Sequence, residues 1–253
     1  MGTKIVNFPI VLNFREVYKK LLLGLDFVKM YKSKLMKNNE IQLHPEGFYH
    51  IYNHANGWEN LFKIRENYIY FLRRYAEFIN PIADTFAYCL MPNHLHFMVR
   101  IKKNEELQAA YQQRVPRKTS SLQNVEMYRK PVLEENALPG FISREWGSLF
   151  SAYSQAFNRQ QHRKGSLFIP NFKRKPVETE DYYLKLIHYI HANPIHHGFV
   201  KCFADWEFSS YHTYLSNKPT QLAREEGLEW FGGSNLFEHF HRENPVSVKI
   251  EFE

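Results

Sequence analysis

Two histidines one residue apart, His94 and His96, follow a Pro92-Asn93 turn within the apolar-rich run from Ala87 to Arg100. If Leu95–Ile101 is a strand, residues i and i+2 share a face, so the two imidazoles stand side by side as ligands of one metal must. About a hundred residues later Lys185, Tyr189 and Asn193 recur at four-residue spacing and share one stripe of a helix. Two neutral imidazoles and an amide oxygen would form a three-ligand site that leaves a divalent charge uncompensated and positions open for phosphate oxygens or water. Such a metal acts as a Lewis acid on a phosphodiester. Tyr189 would be the nucleophile, forming a covalent phosphotyrosine and releasing a free hydroxyl. A free phenol has a pKa near 10, so its attack needs help from the metal or a nearby cation, and Lys185 is one candidate. The bond energy stays in the phosphotyrosine, so the step can reverse onto another DNA end without ATP.

Each part read alone has a plainer meaning. A lone His-x-His on a strand is more often structural, Asn193 before Pro194 could simply end a helix, and Tyr189 could be core. Tyr153 is a rival nucleophile, but its asparagine, Asn158, is five residues on and rotated about 140° from it. His188, His191, His196 and His197 fall off the stripe or beyond the helix, where contact with phosphate or with helix carbonyls is the expectation. The joint reading gains because each part is the one the chemistry requires.

The elements that must position these residues follow from periodicity. Gly47–His54 reads as a strand ended by Asn56-Gly57, Leu61–Ile79 as a helix closed by Pro81, and Thr85–Met91 and Leu95–Ile101 as a hairpin. Lys102–Gln113 and Arg144–Gln161 read as helices, with an aperiodic surface insertion at about 115–140 between them. Glu178–Ala192 reads as a helix with Thr179 at its N-cap and Pro194 beyond its end, and Leu228–Phe240 as a last helix after or around Gly232-Gly233. The pattern is α+β with mainly antiparallel pairing. The organisation expected is a basic helical extension at 1–46, a catalytic domain at 47–215 and a helical extension at 216–253.

The chain has 253 residues, a formal charge of +7 and an aromatic fraction of 16%. That composition argues against global disorder and favours a polyanionic partner, nucleic acid before membrane. From Ser143 to Pro176 seven basic residues face one acidic, 7 − 1 = +6, whereas Thr220–Glu253 carries 3 − 7 = −4. The middle of the chain is therefore the expected polyanion surface. There Arg159, Arg163, Lys164, Lys173, Arg174 and Lys175 could meet phosphates, and Phe168 and Phe172 could stack on bases; a solvated basic loop is the alternative. No apolar run reaches the roughly 20 residues a bilayer span needs, and no signal peptide is read. Two cysteines, Cys89 and Cys202, are too few for a disulfide framework or a cysteine-rich zinc site. The setting expected is reducing and cytoplasmic, on the nucleoid if DNA is the partner.

Met91-Pro92-Asn93-His94-Leu95-His96-Phe97 resembles the His-hydrophobic-His signature of HUH single-strand nucleases. Tyr189-Ile190-His191-Ala192-Asn193-Pro194, followed by His197-Gly198-Phe199-Val200, resembles the tyrosine motif of REP-associated tyrosine transposases. Gly165-Ser166-Leu167-Phe168, Phe172-Lys173-Arg174 and Trp206-Glu207-Phe208-Ser209-Ser210-Tyr211 are similar to that family's usual run, so the likeness covers roughly residues 47–215. The resemblance implies a ferredoxin-like α+β fold whose central antiparallel sheet carries the paired histidines. It implies Mg²⁺ or Mn²⁺ and cleavage of single-stranded DNA near a hairpin to leave a 5′-phosphotyrosine. Its metal ligands would be His94, His96 and Asn193, its nucleophile Tyr189. Glutamine is frequent in the family at the third ligand position, where this chain has the shorter asparagine. Relatives act as monomers or as homodimers. A hairpin-binding protein without catalysis is the alternative function, and a small-phosphoester hydrolase fits less well because neither motif has carboxylates beside it.

Overall fold

The structure, a computed structural model of the chain, describes residues 41–114 and 132–244, apart from the side chains at 180 and 181. The basic N-terminal arm and most of the expected insertion lie outside the described residues. Strand β1 (Phe48–His54) is aromatic and β-branched along most of its length, the composition that suits a pleated, packed surface. Helix α1 (Arg65–Phe78) leads to β2 (Ala83–Leu90), and the tight Pro92-Asn93 connection leads to β3 (His94–Ile101). Helices α2 (Asn104–Arg114) and α3 (Leu138–Gln160) precede β4 (Lys173–Pro176) and α4 (Glu180–His196). Short α5 (Tyr211–Tyr214), then α6 (Arg224–Phe231) and α7 (Ser234–Glu243), follow.

The four strands form one antiparallel sheet in the order β2-β3-β1-β4. Strands β1 and β2 flank β3, and β3 and β4 flank β1, so two split β-α-β units interleave. This is the ferredoxin-like arrangement that the resemblance implied. Because β3 is central and covered on both sides, nearly its whole length is buried. On one face Ile51, Leu95, Phe97 and Val99 pack with Phe71 and Tyr75 of α1 and Trp146, Leu149 and Tyr153 of α3. On the other, Phe86 and Met98 pack with Leu186, Ile187 and Ile190 of α4 and Phe237 of α7.

Four boundaries differ from expectation. Helix α3 begins at Leu138, inside the stretch read as insertion, because Pro139 sits in its first turn, where a proline sacrifices no helical hydrogen bond. Helix α4 continues through Pro194 to His196; the proline forfeits one bond in the last turn, and His197 N still donates to Asn193 O at 3.0 Å. At its other end Thr179 has the extended backbone of an N-cap, but its hydroxyl makes no capping bond. The single C-terminal helix is two, divided at Gly232 (φ +80°) and Gly233 (φ +111°), left-handed conformations that glycine adopts without steric cost. Lys173–Pro176, expected as part of a polyanion surface with no strand assigned to it, is an edge strand whose residues pair with Tyr49–Tyr52.

Candidate active site

Strand register assembles the site before any helix is considered. On β3, His94 and His96 alternate away from Leu95 and Phe97, and their partners on β1 are His54 and Tyr52, while His50 pairs with Met98. One sheet face therefore carries His50, Tyr52, His54, His94 and His96. Lys173 and Lys175 of β4 join it opposite Tyr52 and His50. Helix α4 lies across this face and presents Tyr189 and Asn193 to it.

The two motifs meet. The His94 and His96 rings are 5.1 Å apart between centres, and Tyr189 lies edge-on to His96 at 5.7 Å and to His50 at 6.0 Å. Asn193 Oδ1 is 3.5 Å from His94 Nε2, and its Nδ2 donates to the Tyr189 carbonyl at 2.8 Å, which orients the amide oxygen toward the histidine. His94 Nδ1 lies 2.8 Å from Asn93 Oδ1, and an amide oxygen can only accept, so that nitrogen carries the proton. His96 Nδ1 is 3.0 Å from His50 Nε2. Both Nδ1 atoms are thus engaged, and His96 Nε2 is buried without a hydrogen-bond partner. Metal-binding histidines characteristically have this pattern, one ring nitrogen anchored and the other presented.

Electrostatics agree. Burial, with His197 adding to it, pushes His94 down to about 3, against a smaller opposing pull from Asn193. Burial holds His96 well below the ordinary imidazole value, and His50 is pushed down to about 3 by burial and by Lys175. All three are neutral at physiological pH, with lone pairs available. Among the described residues no group of three or more His, Cys, Asp or Glu side chains is spaced to hold a metal. Beside the two imidazoles, the Asn193 amide oxygen faces His94 Nε2 at 3.5 Å.

The other residues singled out from sequence divide. Lys185 stands one turn before Tyr189 on α4, half-buried. Lys175 brings a second cation to the site face, 5.9 Å above the Tyr52 ring, and burial followed by Lys173 pushes its ammonium down to about 8. Arg159 and Lys164 are exposed and Lys173 is partly so, as phosphate contacts require. Arg163 is occupied by an ion pair to Glu59 at 2.9 Å and a hydrogen bond to Asn158 at 2.6 Å. Phe168, Phe172 and Arg174 are not where base stacking or phosphate contact needs them. Both rings are buried against Phe150, and Arg174 lies 4.1 Å over Phe172 and donates to Ser143 at 2.9 Å. The alternation in β4 explains this: Lys173 and Lys175 point to the site face, and Arg174 to the other.

Sequence reading missed His50, His54 and Asn93 as parts of the site, and singled out Lys175 only as a phosphate contact. A signal was present, since His50, Tyr52 and His54 repeat with the same two-residue period as His94 and His96. Tyr153 is excluded as a nucleophile: it is 1% exposed, its hydroxyl donates to Leu61 O at 2.5 Å, and burial raises its phenol far above the usual value. Tyr153→Phe is expected to lower stability by about 1–2 kcal/mol, the cost of leaving that carbonyl unpaired, and to leave any covalent DNA chemistry unchanged. Denaturant melts and an adduct gel check both.

The opposite face of α4 carries a second set of histidines. His191 Nδ1 lies 3.0 Å from His241 Nε2, His191 Nε2 lies 2.7 Å from Ser210 Oγ, and His241 Nδ1 donates to Phe237 O at 2.8 Å. With His188 they are almost wholly enclosed, and burial lowers all three, with neighbouring imidazoles adding to it: His241 for His191, His188 for His241 and His196 for His188. Folded values below the unfolded value near 6.5 mean that the unfolded chain takes up more protons in acid. The stability these neutral rings contribute is complete above about pH 6.5 and drains away as pH falls toward about 3 to 4. Calorimetry is expected to show the melting temperature falling between about pH 6.5 and 5, above the range where carboxylates titrate. A flat profile there would contradict the burial of these rings.

No protein-family model matches the chain. Over 132 residues it is 21% identical to a curated protein of Haemophilus influenzae named as a REP-associated tyrosine transposase. The match covers 51% of this chain and 59% of that protein, so the chain spans less than two thirds of its relative's length. A solved structure of a REP-associated tyrosine transposase bound to a REP hairpin superimposes with a TM-score of 0.50 at 16% identity. It covers 74% of this chain and 92% of that one, a likeness of fold. In sequence and in fold, then, the chain is similar to the REP-associated tyrosine transposases, as its His-x-His and tyrosine motifs suggested.

Proposed function

We propose that the chain is a metal-dependent single-strand DNA nuclease and strand transferase that cuts beside DNA hairpins through a 5′-phosphotyrosine on Tyr189. One observation carries this reading: His94, His96, Asn193 and Tyr189, from motifs about a hundred residues apart, converge on one sheet face. The names of the similar proteins, one a transposase bound to a REP hairpin, point the same way.

The donor set fits Mg²⁺ or Mn²⁺, which His94 Nε2, His96 Nε2 and Asn193 Oδ1 would hold. When bound, the ion supplies Lewis-acid stabilisation of negative charge on the phosphodiester. The rest of the chemistry belongs to the chain. The Tyr189 phenol oxygen bonds to phosphorus and loses its proton to solvent or a neighbouring base. The bond from phosphorus to the 3′ oxygen breaks, and that oxygen leaves as a hydroxyl after gaining a proton. The ester energy is retained, so a second 3′-hydroxyl can reverse the step. Lys185 on the helix and Lys175 on the sheet supply positive charge toward a phenolate and a phosphate. Arg159, Lys164 and Lys173 would meet the backbone elsewhere.

The acting species is a monomer or a homodimer. No helix among the described residues is long and apolar enough to cross a membrane. The test is to incubate the chain with 3′-labelled, hairpin-bearing single strands and Mg²⁺ or Mn²⁺, then separate the products on a denaturing gel. A covalent protein–DNA band is expected. A mobility shift confined to native gels would instead mark a hairpin-binding protein.

A further inference from the structure

Phe168 and Phe172, the rings expected to stack on bases, are enclosed in the core, yet one large ring beside the site stands in solvent. Trp58 is 105% exposed and packs on nothing among the described residues. Its loop is nonetheless fastened at both ends. Ala55 N donates to Asn93 O at 2.7 Å and Phe62 N donates to Pro92 O at 3.1 Å, so the loop wraps the turn that immediately precedes His94. Asn56 N donates to Leu167 O at 2.8 Å, and Glu59 pairs with Arg163 at 2.9 Å. Gly57, at φ +70°, makes the left-handed turn from which the indole projects. Polar contacts continue inward from Ala55 O through His54, Asn93 and His94 to Asn193.

A lone exposed apolar side chain is ordinary. This one is set apart by its company. The loop is clamped to the turn that leads into a proposed metal ligand, His94, and the strap it bonds to holds Lys164 in solvent in the most basic part of the chain. A ring that buries nothing contributes no packing to the fold. An exposed π face on a loop bonded both to the turn before His94 and to the strap that carries Lys164 matches how proteins hold unpaired nucleotides.

We infer that Trp58 is a stacking platform for an unpaired base of the strand held at the His94–His96–Asn193 site, adjacent to the phosphate that is cut. This deepens the proposed function and rests on the reading that the chain binds single-stranded DNA. The partner is single-stranded rather than duplex DNA, because a paired base keeps its faces inside the helix stack.

Fluorescence anisotropy with the full chain tests this, using a labelled hairpin with a single-stranded tail and, separately, a blunt duplex of the same composition. Trp58→Ala is expected to weaken binding to the tailed hairpin about tenfold, within the range for losing one base–aromatic stack, with duplex binding unchanged. Trp58→Phe should recover most of the loss. The melting temperature of Trp58→Ala should equal that of the parent, because no packing is removed. Equal affinity of parent and Trp58→Ala for the tailed hairpin overturns the inference, as does an equal loss on duplex. If the parent binds no single strand, the inference and the proposed function fall together. If the parent binds but forms no covalent band, the nuclease reading fails and the Trp58 comparison still decides the stacking role.

Discussion

Tyr189→Phe is expected to abolish the covalent protein–DNA band, with a loss of about 10³-fold or more, the scale seen when a covalent nucleophile is removed. Strand binding should be intact. The substitution deletes only the phenol oxygen of a side chain that is 9% exposed, and leaves the ring against His96 and His50, at 5.7 and 6.0 Å. The Tyr189 carbonyl, which accepts the Asn193 amide hydrogen, belongs to the backbone and is untouched. Loss of the band with retained binding and an unchanged melt therefore isolates the nucleophile. An undiminished band would show that another residue attacks, and Tyr153, sealed under Leu61 O, is a poor substitute.

The second large effect concerns metal affinity and can be read without DNA. His96→Ala removes the buried, unpartnered Nε2 and is expected to weaken Mn²⁺ binding by well over about 100-fold, because outer partners alone are worth about 10- to 100-fold. His50→Gln tests such an outer partner. If His50 Nε2 accepts from His96 Nδ1–H, the His96 Nε2 lone pair is free for the metal; with the opposite tautomers it carries a proton and cannot ligate. His50→Gln is therefore expected to cost about 10- to 100-fold in Mn²⁺ affinity although His50 need not touch the ion. Titration of the free Mn²⁺ signal by electron paramagnetic resonance measures both. Parent-like affinity in His96→Ala would remove the metal site from the mechanism.

Much of this site is legible in sequence where periodicity is strong. Strand period two put His94 and His96 on one face, and helix period 3.6 put Tyr189 and Asn193 on one stripe, so both halves follow from local geometry. Their meeting does not, because it depends on α4 crossing one particular face of the sheet. Strand β4 was illegible for a physical reason. Lys173-Arg174-Lys175 has little intrinsic strand preference, and its conformation is imposed by pairing with β1. Phe168 and Phe172 illustrate a related limit: aromatic residues among cations look alike whether they stack on bases or plug a core. Pro194 shows that a proline signals a helix end only to within a turn, since losing one hydrogen bond there is tolerable.

Helix α4 is held from behind as well as from the site. Its rear face meets α7 through His191 and His241, and Phe237 closes over the same core as Leu186, Ile187 and Ile190. The distal helix is thus a back-plate for the helix that carries Tyr189, although it lies outside every recognisable motif. A chain ended at Leu215 would retain all the signature residues, yet it would uncover that apolar core and leave His191 with Ser210 but without His241. The smallest unit able to hold Tyr189 in register therefore extends through Glu243, and motif boundaries understate the length of chain the chemistry needs.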